Sequence, residues 1–250
     1  MGLENYIDVF TRDDCFNALK LSLYYMVGSV VQLALALLFA TILSFNPKGG
    51  SFFRGALYFP SLVCGIAVGF IFKYFYTHGF VLDSILGLLG IPEDMLPFWL
   101  KDTRINNWVL VASSIWRYMG QNMVLFIGAI ASVDKTQYEA AAIDGANAWH
   151  RFRYIILPSI RTIVVLNMIL AISGSLSVFE IPYVITDGGF GTSTYFVLMD
   201  KLAHANQKVG LASAMAVVLL VLILVVSGIQ KLAEKKMNFG VRVGKRRARK

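Results

Sequence analysis

The chain has 250 residues, of which 57% are hydrophobic and only 15% are charged, whereas soluble domains carry about 25% charged residues. This composition excludes an ordinary soluble domain and indicates an integral membrane protein. The net charge of +8 does not indicate a nucleic-acid partner, because the cations lie in the connections between apolar runs and not on one soluble face. Cys64 lies inside an apolar run and Cys15 has no nearby partner, so we expect no disulfide framework or metal cluster. We also expect no cofactor.

The amino-terminal stretch reads as an amphipathic helix. It lacks the basic start and apolar core of a secretory signal. Apolar residues recur at helical spacing on one side and acidic residues on the other: Leu3, Tyr6, Ile7 and Phe10 against Glu4, Asp8 and Asp13. We predict that residues 1–20 form an external amphipathic segment on the membrane surface.

Five segments are apolar and long enough to cross a hydrocarbon core of about 30 Å, which needs about 20 residues in a helix. They run over 21–45, 56–72, 108–131, 160–178 and 211–229. Lipid leaves no water for unpaired backbone groups, so the spans are expected to be helices. The predicted fold class is all-α, a polytopic transmembrane helix bundle over 21–230, whose second span contains Pro60 and is the least regular.

The lysines and arginines set the orientation. With the first span running inward, 15 cations lie inside and six outside. We therefore expect an external amino terminus, a cytoplasmic carboxyl terminus and a basic cytoplasmic tail over 231–250. Five spans with an external start and no signal are awkward to insert, so we expect a further helix before residue 1.

Signs of a nucleotide site or an enzyme are weak. Gly189 and Gly191 echo a phosphate loop, but no strand precedes them and the third glycine is absent. His78, His150 and His204 are isolated, and no motif of a membrane enzyme is present. An ion-coupled secondary transporter stays as the alternative, although such proteins carry several embedded carboxylates and this chain offers only Glu180.

A long polar connection between the third and fourth spans does not read as a simple turn. Three consecutive alanines, the strongest helix formers, follow Glu139, which lies near the positive end of the helix dipole. Gly145 suits the left-handed conformation that ends a helix, and Asn147 suits the cap of the next helix. The sequence predicts helix, sharp bend and helix over 134–159, which we call the bent segment.

The physics of the bent segment leaves two interpretations open. Small alanine side chains permit close approach by another protein, so a cleft on a partner could receive the bend. Trp149 and Phe152, together with Arg151 and Arg153, equally suit an amphipathic hairpin resting on the inner leaflet.

The string EAAAIDGANAWHRFRYIILP resembles the cytoplasmic EAA motif of binding-protein-dependent ABC transporter permeases, which favours the first interpretation. The matching positions are Glu139, Ala140, Ala141, Asp144, Gly145, Ala146, Phe152, Ile155, Leu157 and Pro158. FNALKLSLYY resembles the region leading into the second helix of sugar permeases, and FEIPYVITDGG is similar to the end of the first permease subunit of carbohydrate importers. Two features depart from the family pattern. The family has six helices, whereas five spans are predicted here and the helix before GLENY is missing. Thr162 stands where a proline is often found soon after Pro158, which leaves the entry angle of the fourth span open.

The resemblance implies a permease subunit of an ATP-driven importer for sugars or oligosaccharides in a bacterial plasma membrane. In that family the motif docks in a groove on a cytoplasmic ATPase. Here Glu139 would make a polar contact, Gly145 would set the bend, and the remaining docking positions would be Ala140, Ala141, Ala142, Asp144, Ala146 and Pro158. The implied partners are a second permease, two ATPase subunits, an external sugar-binding protein and membrane lipid. ATP chemistry lies in the ATPases, so this chain is not expected to be an enzyme.

Polar residues inside spans indicate where a solute passes, because they are costly against lipid and face cavities or other helices. Two stripes carry them, on the third and fourth spans: Ser113, Trp116, Arg117, Gly120, Gln121 and Asn122 on one, and Ser173, Ser175, Ser177 and Glu180 on the other. We predict that these faces line the solute pathway. Helix-to-helix hydrogen bonding is the alternative for single residues, and Arg117 pairing with Glu180 is a second.

Overall fold

The computed structural model describes the backbone of residues 3–45 and 47–247 and the side chains of these residues up to 232. Every regular element in the described residues is helical, which confirms the all-α prediction. The first six helices, in chain order, are α1 (Glu4–Thr11), α2 (Asp13–Ser44), α3 (Gly50–Leu62), α4 (Gly65–Tyr76), α5 (Val81–Leu88) and, after a short 3-10 turn at Glu93–Met95, α6 (Asn106–Ala131).

The second half of the chain begins with the bent segment. It contains α7 (Lys135–Ile143), α8 (Ala148–Arg151), a π-helical turn (Phe152–Ile156) and α9 (Leu157–Ser159). The remaining helices are α10 (Arg161–Leu176), α11 (Glu180–Thr186), α12 (Tyr195–His204) and α13 (Val209–Arg247). The predicted basic tail continues α13 in the backbone, and its side chains beyond residue 232 and its last three residues lie outside the described part.

Three stretches of the described residues are long and apolar enough to cross a membrane: Asp13–Ser44, Arg161–Thr186 and Val209–Leu232. They cover the predicted fifth span and all but one residue of the predicted first and fourth spans. The third predicted span coincides with α6, whose 26 residues extend about 39 Å at 1.5 Å per residue. Helix α6 is not among these three stretches, because its many polar residues lower its mean hydropathy.

The prediction of one continuous second span was wrong. Residues 50–76 form two helices, α3 and α4, bent by 99° at the break between them. Val63 and Cys64 both take an extended backbone with ψ of 134° and 143°. Pro60 lies in the last turn of α3 and has no N–H to continue the hydrogen-bond ladder, so the helix ends soon after it. Counted together, the pair forms a fourth, broken span.

The amino-terminal amphipathic segment is also divided. Helix α1 ends at Thr11, Arg12 takes an extended conformation, and residues 13–20 belong to the same helix as the first span. Helix α1 packs against α13 and α2 and buries Val9, whereas Leu3, Ile7 and Phe10 stay exposed. The helix therefore packs one side on the bundle and keeps an apolar side outward.

The bundle is organised around α6, which packs against α2, α3, α10 and α11. Two glycines make these crossings close. A Cβ at Gly28 of α2 would overlap the side chain of Val111, and a Cβ at Gly120 would overlap the backbone of Leu57 in α3. A cavity lies on one side of α6, and the bent segment follows the carboxyl-terminal end of this helix.

Candidate functional site

The bent segment begins with a capped helix. The Asp134 side chain accepts the backbone N–H of Thr136 at 3.0 Å, which satisfies one of the free donors of the first turn of α7. Accepting this N–H lowers the pKa of the Asp134 carboxyl below its usual value of 3.8. The start of α7 is therefore set by an ionised aspartate in water.

The bend has the geometry that the sequence predicts. Gly145 takes a positive φ of 71°, and two hydrogen bonds of a Schellman turn end α7: Ala146 N–H to Ala141 O at 2.9 Å and Gly145 N–H to Ala142 O at 3.2 Å. Asn147 caps α8 by accepting the His150 N–H at 2.9 Å. The prediction of helix, bend and helix is confirmed.

The bent segment is anchored on its inner side and apolar on its outer side. Ile156 is fully buried, and Phe152 and Tyr138 pack against the same core of α2 and α6. The outer surface exposes Ile143, which is 87% exposed, and Trp149, which is 65% exposed. Of the predicted docking residues, Glu139, Ala140, Ala142, Asp144, Gly145 and Pro158 are exposed and Ala141 and Ala146 are partly buried. An exposed apolar surface on a fixed bend is a surface that a partner can cover.

A cavity of about 590 Å³ lies between α2, α6, α10 and the start of α11. Its polar lining consists mainly of hydroxyl and amide groups, and its aromatic lining includes Phe179 and Phe196. The polar lining residues are Tyr25, Ser29, Gln32, Ser114, Tyr118, Gln121, Asn122, Asn167, Ser175, Ser177 and Glu180. Such a lining offers both hydrogen-bond partners and flat apolar surfaces to a solute.

The structure brings half of the predicted pathway residues to this cavity, namely Gln121, Asn122, Ser175, Ser177 and Glu180. The others have partners elsewhere. Ser113 is buried and donates to Val109 O at 3.2 Å, and Trp116 packs edge-on against Phe72 with ring centroids 5.1 Å apart. Ser173 is hydrogen-bonded to Ser227 at 3.1 Å.

Arg117 and Glu180 form an ion pair, so the pairing that the sequence left open is present. Glu180 also lines the cavity, whereas Arg117 is turned into the bundle and its side chain is 11% exposed. Gly65 makes room for the pair, since a Cβ there would overlap both side chains. The ion pair therefore joins α6 to α11 directly beside the break between α3 and α4.

Helix α2 also lines the cavity, which the sequence analysis did not predict. Tyr25, Ser29 and Gln32 are buried on one face of this helix and line the cavity. Their spacing of four and three residues is the same signal of polar groups inside a span that identified the other two stripes. In the described residues, no group of His, Cys, Asp and Glu could hold a metal ion.

Comparison with known proteins agrees with this geometry. Residues 32–239 match the family "Binding-protein-dependent transport system inner membrane component". The chain is 30% identical over 230 residues to the probable ABC transporter permease protein YesP of Bacillus subtilis, covering 89% of this chain and 74% of that protein. It is 31% identical over 237 residues to the arabinooligosaccharides transport system permease protein AraP of the same species, covering 91% and 74%.

A solved structure shows the same fold. It is a bacterial alginate ABC transporter in complex with an alginate pentasaccharide-bound periplasmic protein, and it superposes with a TM-score of 0.87 at 19% identity, covering 95% of this chain and 84% of that one. The family resemblance found in the sequence is thus confirmed. This chain belongs to the inner membrane components of binding-protein-dependent transport systems.

Proposed function

We propose that this chain forms one half of the translocation pathway of an ATP-driven importer for sugars or oligosaccharides. One observation carries the proposal: helix α6 connects the two parts of the site. Tyr118 and Gln121 of α6 line the cavity, and the helix ends at Ala131, three residues before Asp134 caps α7. A push on the bent segment would therefore move a wall of the cavity.

The bent segment is suited to receive that push from a cytoplasmic ATPase. Exposed Ala140 and Ala142 allow close contact with a groove, exposed Ile143 offers an apolar anchor, and exposed Glu139 offers a polar contact. Gly145 holds the bend at a positive φ. Ile156 and Phe152 fix the other side to the core, so the segment moves with the bundle. We assign to it the coupling role that the resemblance implies.

The cavity lining suits a sugar. A sugar ring has a hydroxylated rim, which the serine, asparagine and glutamine side chains can hydrogen-bond, and an apolar face, which an aromatic ring such as that of Tyr118 can cover. The name of AraP indicates oligosaccharide transport for that relative. The predicted stripes, on α6 and from α10 to the start of α11, contribute to the pathway through the five residues that reach the cavity.

The assembly is proposed to contain a second permease, two cytoplasmic ATPase subunits and an external sugar-binding protein, embedded in lipid of a bacterial plasma membrane. The second permease would close the open side of the cavity. The excess of cations in the connections on the side of the bent segment supports an external amino terminus and a cytoplasmic carboxyl terminus.

Uptake measurements in proteoliposomes test the coupling role. Gly145→Trp replaces the bend glycine and Glu139→Lys reverses the exposed charge; both are expected to abolish ATP-driven uptake while the binding protein keeps its affinity for the solute. Gly90→Trp is the matched control, because Gly90 also has a positive φ, of 89°, and open space around it, in the loop after α5. This control is expected to retain uptake, and normal uptake in both test variants would refute the role.

A further inference from the structure

The cavity carries one kind of charge only. Among the described residues that line it, Glu180 is the only acidic or basic one. Its side chain is 48% exposed, whereas that of its partner Arg117 is 11% exposed and does not line the cavity. The ion pair is neutral as a whole, but it presents its negative end to the solute space.

The position of Arg117 is fixed by its surroundings, so its charge cannot easily turn into the cavity. The guanidinium lies 4.8 Å from the centroid of the Tyr118 ring and contacts Glu180 on the side where Gly65 leaves space. Glu180 is the first residue of α11 and lies beside Gly65, the first residue of α4, and the amino-terminal end of a helix favours negative charge. The orientation of the pair, carboxylate toward the cavity and guanidinium away from it, is thus supported by three helices.

We propose that Glu180 makes this cavity unfavourable for anionic solutes, so that the protein carries uncharged polyhydroxylated solutes such as neutral oligosaccharides. The inference rests on the proposed function, since it concerns the solute of the same cavity. A solute carboxylate would approach Glu180 more closely than Arg117, and Coulomb energies fall with distance and rise in a poorly hydrated space. The remaining lining groups are neutral donors, acceptors and rings, which match hydroxyl groups without requiring a charge.

The charge of the cavity is measurable with thiol reagents of opposite charge. The complex with its second permease and ATPases is reconstituted in nanodiscs, with exposed Cys64 replaced by serine. Ser177→Cys then reports from the cavity lining, and Thr103→Cys, at an exposed position before α6, is the control outside it. For each position, the modification rate by a cationic methanethiosulfonate is divided by the rate for an anionic one.

We expect this rate ratio to be roughly tenfold higher at Ser177→Cys than at Thr103→Cys, which corresponds to about 1.4 kcal/mol. Glu180→Gln should lower the cavity ratio to the control value or below it, because Arg117 is then unpaired, and should leave the Thr103→Cys ratio unchanged. Glu180→Asp retains the charge and should retain most of the ratio. Removing both charges with Arg117→Gln and Glu180→Gln should give the control value. Equal ratios at the two positions, or a cavity ratio that Glu180→Gln does not change, would overturn the proposal.

Solute protection provides the second readout. Modification of Ser177→Cys by an uncharged methanethiosulfonate is measured with maltotriose or with trigalacturonate at equal concentration. Maltotriose is expected to slow the reaction and trigalacturonate is not. Equal protection by trigalacturonate would overturn the charge selectivity. If neither saccharide protects, the sugar assignment of the proposed function fails, while the rate ratios still decide the charge of the cavity.

Discussion

The bent segment and the cavity wall hold their shapes in different ways. The bent segment is shaped by bonds between near neighbours in the chain: the Asp134 and Asn147 caps and the two hydrogen bonds around Gly145. Helix α6, which contributes one wall of the cavity, is held by contacts between residues far apart in the chain, namely the Arg117–Glu180 ion pair and the close approach of Gly120 to Leu57.

Because of this difference, we expect substitutions in the two regions to have different effects, on coupling in one region and on stability in the other. Residues of the bent segment such as Glu139, Ala140 and Ile143 are exposed, so substitutions there are expected to affect coupling and leave the bundle intact. Residues at the helix crossings of α6 are buried or tightly packed, so substitutions there are expected to affect the stability of the bundle. Substitutions in the two regions test that separation.

The largest loss of stability is expected for Gly120→Ala. The added Cβ would overlap the backbone of Leu57 and Tyr58, so α3 and α6 must move apart. Overpacking of this kind costs about 3 kcal/mol. Gly128→Ala is the matched control on the same helix, because a Cβ there meets nothing within 4 Å. Thermal unfolding in nanodiscs should show a lower midpoint for Gly120→Ala and an unchanged or higher one for Gly128→Ala; equal midpoints would contradict the close crossing.

The ion pair should come next. Replacing Arg117 by methionine leaves the Glu180 charge unpaired, and we expect a loss of about 2 kcal/mol, less than for a fully buried pair because about half of the Glu180 side chain is exposed. Exchanging the two charges, Arg117→Glu with Glu180→Arg, should restore only part of the stability, because a cation would then face the amino-terminal end of α4.

A double-mutant cycle of thermal unfolding free energies measures the coupling between these two side chains. Additive single and double variants would show that the pair does not stabilise the wall.

A smaller and local effect is expected for the cap of α8. Asn147→Ala removes the side-chain oxygen that accepts the His150 N–H, which costs about 1 kcal/mol for a helix cap. Hydrogen exchange should become faster in α8 and stay unchanged in α6. Faster exchange throughout the bundle would contradict the local character of the bent segment.

The smallest effect is a pH dependence at the start of α7. The lowered pKa of Asp134 means that its cap is fully present above the usual carboxyl pKa and is lost as the pH falls through the lowered value of the folded state. Hydrogen exchange in α7, compared between the unmodified chain and Asp134→Asn, should be similar at neutral pH and faster in the unmodified chain once the pH has fallen through the lowered pKa of Asp134. Asparagine is a cap that does not titrate. Equal exchange rates in the two chains at low pH would therefore contradict the role of the carboxylate.

The same distinction explains what the sequence could predict. The bend at Gly145 and the cap at Asn147 were predictable because their hydrogen bonds form within a few residues of one another. The 99° angle after Pro60 was not, since proline indicates an irregular span but the angle depends on how α4 packs against α6 and α11.

The cavity was only partly predictable for a related reason. Helix α6 packs against several other helices, so its polar residues have different surroundings. Ser113 and Gln121 share a stripe in the sequence, but Ser113 is buried in the bundle and Gln121 lines the cavity. Gln32 and its neighbours on α2 were hidden among apolar residues of the first span. A stripe of polar residues therefore indicates that a span has inward contacts, and the tertiary packing decides which of them reach a cavity.

The most direct test of the coupling role is a photocrosslink from position 143, where the side chain is 87% exposed at the end of α7. A photoreactive amino acid is introduced there in the complete complex, and at Leu89, 75% exposed after α5, as the control. We expect an adduct between position 143 and an ATPase subunit, with a yield that changes when ATP is bound, and no such adduct from position 89. Adducts from position 143 with phospholipid alone would contradict it.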